Sequence, residues 1–65
     1  MNILLNGEQR DVVAQDLLTA LEELGLGGAK VATALNGAFV PVAARKDTKL
    51  RDGDQLEVLA PKQGG

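Results

Sequence analysis

The chain has no cysteine, histidine, serine, tryptophan or tyrosine, and a single phenylalanine. Each absence closes a class of function. Without Cys there is no disulfide scaffold and no thiolate nucleophile, and without Cys or His a zinc site loses its usual donors. Without His there is no side chain whose ordinary pKa suits general-base work near neutrality. Without Ser, that hydroxyl nucleophile is gone as well. One aromatic ring cannot build a platform for stacked bases. Seven basic residues against nine acidic ones give a net charge of −2 rather than a cationic stripe, so nucleic acid is not expected as a partner. No apolar run approaches the ~20 residues of a membrane span. The opening residues 1–7 carry neither a basic start nor a long apolar stretch, so no signal peptide is read there. The expectation is a soluble, cytoplasmic protein that holds no metal and no stably bound cofactor.

What is present fits one small domain of 65 residues. Nine of its apolar residues are Ala, which leaves 20 large apolar side chains for a core. A chain this short hides only about 60% of its unfolded surface, so each of them matters. Two Asn-Gly pairs, Asn6-Gly7 and Asn36-Gly37, punctuate the sequence. Asn-Gly supplies the two positive-φ residues of a type I′ turn, which predicts two hairpins. In the first, residues 1–5 fold back on residues 8–13, so Leu5 faces Glu8 and Ile3 faces Arg10. Period two then puts Met1, Ile3 and Leu5 on one face and Leu4 on the other. In the second, residues 30–35 fold back across Asn36-Gly37, pairing Leu35 with Ala38, Ala34 with Phe39 and Thr33 with Val40. Val31, Thr33, Leu35, Val40 and Val42 share one face. Ala32, Ala34, Phe39 and Pro41 share the other. Pro41 cannot donate to a ladder, so this arm is expected to be short or at an edge.

Between the hairpins, Leu17, Leu18, Leu21 and Leu24 recur as the apolar stripe of a helix. Asp16 is the expected N-cap and Gly25 the residue just past the end. Residues 43–50 are basic and weakly patterned, a loop that could hold a helical turn. Arg51-Asp52-Gly53-Asp54 is a turn, and residues 55–60 are a last strand with Leu56 and Val58 inward and Glu57 and Leu59 outward. The order is β-β-α-β-β-β: an α+β, ubiquitin-like β-grasp with one helix on one face of a mixed sheet. The four leucines are expected to pack on Ile3, Leu5, Val31, Leu35, Val40, Leu56 and Val58. Residues 1–60 form the domain and residues 61–65 a flexible C-terminal tail.

No catalytic site is legible. Glu22 and Glu23 fall on the polar side of the helix, and Asp47, Asp52 and Asp54 fall in loops and turns, where a solvated surface is the ordinary role of a carboxylate. Gly27-Gly28 follows a helix C-terminus, whereas a phosphate cradle needs a helix N-terminus. Gly64-Gly65 is different. At a Gly frequency of about 7%, two Gly at a chain end arise by chance in about 0.5% of sequences, so the pair asks for a reason. The functional reading is a reactive Gly65 carboxylate on a mobile arm. Gly64 and Gly65 lack Cβ atoms and fit a narrow channel in a partner, with Gln63 beside them and Lys62 meeting acidic groups there. Phe39 is the other residue of interest. It faces outward over Ala32 and Ala34, near Leu59 and Leu4, as a partner surface or else as satellite core under residues 43–50.

These pieces together resemble a family, the bacterial sulfur carriers of thiamine thiazole synthesis (ThiS). The resemblance is carried by residues 3–7 and 16–18, by Leu35-Asn36-Gly37, by Val40-Pro41, by residues 50–58 and by Gln63-Gly64-Gly65, so it spans the chain. It implies a protein cosubstrate rather than an enzyme. An E1-like adenylyltransferase of the ThiF type would activate Gly65 with MgATP. A cysteine desulfurase relay would supply sulfur to form a thiocarboxylate, and a thiazole synthase of the ThiG type would consume it. Two positions depart from the family pattern: Val42 stands where Arg often follows Val-Pro, and no aromatic residue follows it. Arg45 and Lys46 are the candidates to stand in. The alternatives are the small subunit of molybdopterin synthase, which shares the fold, the Asp-Gly-Asp turn and the Gly-Gly end; a ubiquitin-like protein modifier; and a β-grasp binding module without terminal chemistry.

Overall fold

The computed structural model describes residues 1–27 and 30–60. In chain order the elements are β1 (Asn2–Leu5), β2 (Glu8–Asp11), α1 (Leu17–Glu23), β3 (Ala32–Leu35), β4 (Ala38–Val40), a 3-10 helix (Val42–Asp47) and β5 (Gln55–Leu59). The strands form one mixed sheet in the order β2-β1-β5-β3-β4. β5 lies parallel to β1 and antiparallel to β3, and both hairpins are antiparallel.

Both hairpins take the expected register, Leu5 opposite Glu8 and Ala34 opposite Phe39. The turns fix it. Asn6 and Gly7 have φ of 50° and 84°, and Asn36 and Gly37 have φ of 52° and 86°, the left-handed pair that a two-residue turn demands. β4 is a three-residue edge strand that stops before Pro41, which removes the next ladder donor.

The helix begins where Asp16 caps it. The Asp16 carboxylate accepts from Thr19 N–H at 2.8 Å and from the Thr19 hydroxyl at 2.9 Å. These two bonds, the backbone one first, hold the Asp16 carboxyl below its ordinary pKa. At the other end the chain turns at Gly25, φ 81°. Leu17 and Leu21 are buried with Ile3, Leu5, Val12, Val40, Leu56 and Val58, and Leu24, Val31 and Leu35 pack at the margin.

Several expectations need correction. Leu18 is 38% exposed, because a seven-residue helix turns only its Leu17–Leu21 line fully to the sheet. Val42 is 69% exposed, because the chain leaves the sheet at Pro41 and starts the 3-10 helix there. β2 ends at Asp11, short of residue 13. Val12 N–H still reaches the Met1 carbonyl, but the Val13 and Ala14 N–H groups turn to the Glu23 carboxylate at 2.9 Å each. Glu23 is therefore a backbone clamp between the end of α1 and the β2–α1 connection, not a purely solvated charge. β3 begins at Ala32 and β5 ends at Leu59, each shorter than the run of apolar residues suggests.

Residues 43–50 do more than connect. Thr48 and Leu50 bracket an isolated bridge between Lys49 and Asp16: Leu17 N–H donates to the Thr48 carbonyl and Leu50 N–H to the Gln15 carbonyl, both at 2.9 Å. Leu50 thereby joins Ala14 and Ala20 in a second small apolar cluster at the start of the helix.

Candidate functional site

α1 and the 3-10 helix cover one face of the sheet, and the other lies open. The open face carries the alternate residues of β4, β3 and β5. Phe39 stands opposite Ala34, Ala34 opposite Glu57, and Ala32 opposite Leu59. The two alanines give a low floor, and Phe39 and Leu59 stand above it at 69% and 72% exposure. A shallow hollow of about 190 Å³ lies between them, with Asn6 and Glu57 at its polar margin. Phe39 and Leu59, exposed side by side on the open face, are the candidate contact surface.

The structure brings Phe39 and Leu59 together, and it separates Leu4 from them. Leu4 does face the same side, but it stands opposite Gln9 and Gln55 and is half-buried. It borders another hollow with Asn2, Gln9 and Asp52. Gln55 and Glu57 of the central strand lie between Leu4 and the Phe39 group, so one continuous apolar patch does not form. Residues 43–50 do not cover Phe39 either. The 3-10 helix packs against α1, on the opposite face.

Strand β5 delivers the chain to its last segment. Asn6 N–H donates to the Leu56 carbonyl, and the Asn6 side-chain amide bonds both the N–H and the carbonyl of Val58. At the other end, Asn36 Oδ1 accepts from Gln55 N–H and Asn36 Nδ2 donates to Asp54. The central strand is thus held at both ends by the two turn asparagines. Lys62, Gln63, Gly64 and Gly65, the tail residues singled out in the sequence, lie outside the described residues, as does Gly28. No helix among the described residues is long and apolar enough to cross a membrane.

Arg45, named in the sequence as a candidate to stand in for the family arginine, is not a surface cation but a buried one. It lies in the 3-10 helix and is 7% exposed. Nη2 donates to the Val31 carbonyl at 2.6 Å and Nε to the Thr33 hydroxyl at 3.3 Å, while that hydroxyl donates to the Val40 carbonyl at 2.9 Å. Arg45 therefore ties the 3-10 helix to β3. A buried Thr on the core face of a strand was the one signal that a polar partner had to exist.

A five-stranded mixed sheet with one helix across it defines a small ubiquitin-like β-grasp domain. The chain belongs to the ThiS family, whose model matches residues 3–65. It is 45% identical over 62 residues to the sulfur carrier protein ThiS of Thermus thermophilus, covering 94% of this chain and 95% of that one. It is 38% identical over 66 residues to a thiazole synthase of Paramagnetospirillum magneticum; the match takes in all of this chain but spans only 20% of that protein. Among solved structures, the thiamine biosynthesis protein ThiS of Geobacter metallireducens superposes with a TM-score of 0.84 at 30% identity, with full coverage of both chains. These likenesses favour the thiamine carrier over the molybdopterin synthase subunit.

Proposed function

We infer that this chain is the sulfur carrier of thiamine thiazole synthesis, and that sulfur travels on Gly65. The carrying observation is the family match through residue 65, together with 45% identity over nearly the whole length of a sulfur carrier. The chemistry follows from the functional group. An ionised carboxylate is a poor electrophile. Transfer of AMP from MgATP to the Gly65 carboxylate, with loss of pyrophosphate, turns it into a mixed anhydride. A persulfide from a cysteine desulfurase relay then displaces AMP to give an acyl persulfide, and a second thiol attacks its outer sulfur, which releases the Gly65 thiocarboxylate and leaves a disulfide behind. The activating enzyme on this reading is an E1-like, ThiF-type adenylyltransferase.

The consumer of the thiocarboxylate is a thiazole synthase. The relative bearing that name supports this, since a segment resembling this whole chain forms part of its polypeptide. The carrier acts as cosubstrate and leaves catalysis to its partners, in line with the absence of Cys, His and Ser. It works in the cytoplasm, where MgATP and a reducing environment are found. The five residues beyond Ala60 reach at most about 16–18 Å, enough to enter a partner's channel while the sheet stays outside it. Gly64 and Gly65 accept whatever φ/ψ that channel imposes, and Lys62 and Gln63 line its mouth. The open face around Phe39 and Leu59 is the surface on which the partner sits.

The test is intact mass. With the adenylyltransferase, MgATP and a sulfur donor, the chain should gain the difference between sulfur and oxygen, mapped to Gly65. A mass that never changes under those conditions would overturn the reading.

A further inference from the structure

Arg45 presents an unusual situation. The residue is buried, 7% exposed, yet both guanidinium bonds go to neutral oxygens, the Val31 carbonyl and the Thr33 hydroxyl. Among the described residues no carboxylate stands within salt-bridge distance of it. A buried cation without a counter-ion is costly, and an anion that reaches it recovers much of that cost. Arg45 borders a hollow of about 680 Å³ at the root of the tail, whose walls are Leu18, Val31, Val42 and Leu59, with Lys30 at the rim. The hollow is therefore mostly apolar, with two cations, Arg45 and Lys30, in its lining.

It is also continuous with the candidate contact face. Ala32 and Leu59 border both this hollow and the one beside Phe39. A partner seated on Phe39 and Leu59 meets the second hollow at once. We propose that this hollow is a docking site for an acidic side chain, flanked by apolar residues, on the protein that receives the tail, with Arg45 and Lys30 as the cations that bind it. The proposal rests on the reading that the open face receives the partner. It adds the chemistry of the contact: an aspartate or glutamate directed at the base of the tail. Such a contact lies beside Ala60, which borders the same hollow.

The experiment measures binding of the full chain to the E1-like adenylyltransferase by calorimetry at low and high salt. Val42 and Lys30 are exposed, so Val42→Asp and Lys30→Glu should keep the wild-type melting temperature. Each should weaken binding by roughly tenfold or more and flatten its salt dependence, because the new carboxylate occupies the cations in place of the partner's. Val42→Asn, of similar shape without charge, should bind within about threefold of wild type. If Val42→Asp and Lys30→Glu bind like wild type while Phe39→Asp does not, the acidic contact is wrong and the docking face stands. If all three bind like wild type, both are wrong. Equal loss in Val42→Asn and Val42→Asp would reduce the hollow to an apolar contact and overturn the role of charge. A shift of the Arg45 Nε–H resonance in the free chain on amidating the Gly65 carboxylate would make the chain's own terminus the occupant, which also overturns the proposal.

Discussion

Asn6 and Val58 exchange two hydrogen bonds through one side chain: Asn6 Nδ2 donates to the Val58 carbonyl at 3.1 Å, and Val58 N–H donates to Asn6 Oδ1 at 2.9 Å. A side-chain amide here does the work of one further strand residue. It extends the β1–β5 ladder past the point where β1 has already turned, and it holds β5 one residue before the strand ends at Leu59. The same Asn supplies the left-handed φ of the first turn. Asn6→Gly keeps the turn and loses the amide, and should cost about 1–3 kcal/mol in urea unfolding, with faster amide exchange at Val58. Asn6→Ala adds the strain of a left-handed Cβ, about 1–2 kcal/mol more.

Leu21 and Leu18 sit on one helix with different fates, 1% and 38% exposed. Leu21→Ala should cost about 2–5 kcal/mol, a large part of what so small a domain has. Leu18→Ala should cost well under that. Thermal melts of the two variants side by side check the contrast.

Phe39 contributes little to the fold at 69% exposure. Phe39→Asp should leave the melting temperature within a few degrees of wild type and weaken binding to the adenylyltransferase by roughly tenfold or more. An unchanged affinity would remove the open face from the proposed mechanism.

Gly65 is proposed to carry all of the chemistry and none of the stability. Its deletion should leave unfolding by urea unchanged and abolish thiocarboxylate formation, read by intact mass. Sulfur transfer that survives the deletion would rule out the tail as carrier.

Asp16 makes the helix cap sensitive to acid. Its folded-state pKa is lowered, by the Thr19 N–H first and the Thr19 hydroxyl second. The cap therefore contributes fully above the ordinary carboxylate pKa of 3.8 and is lost as pH falls through the lower folded value. Asp16→Asn keeps an acceptor for Thr19 N–H, so its melting temperature should fall less steeply than wild type on acidification below that range.

Local chemistry was decided by the sequence. Asn-Gly admits two consecutive positive φ angles, so both hairpins and their registers followed from composition and period two. Asp16 and Gly25 bounded the helix, and the place of Pro41 kept β4 short, because each acts within a few residues of itself. The β-grasp order followed from there, and the Gly64-Gly65 end with the run of family motifs indicated the carrier. Tertiary structure decided what depends on distance through space. It broke the expected Leu4–Phe39–Leu59 patch, because the central strand β5 inserts Gln55 and Glu57 between its halves. It exposed Leu18 and Val42, which periodicity had placed inward, because the helix is short and the chain leaves the sheet at Pro41. It gave Glu23 two backbone donors from a segment ten residues away. It buried Arg45 against Val31 and Thr33, since its guanidinium reaches the Val31 carbonyl and the Thr33 hydroxyl from 14 and 12 residues away along the chain.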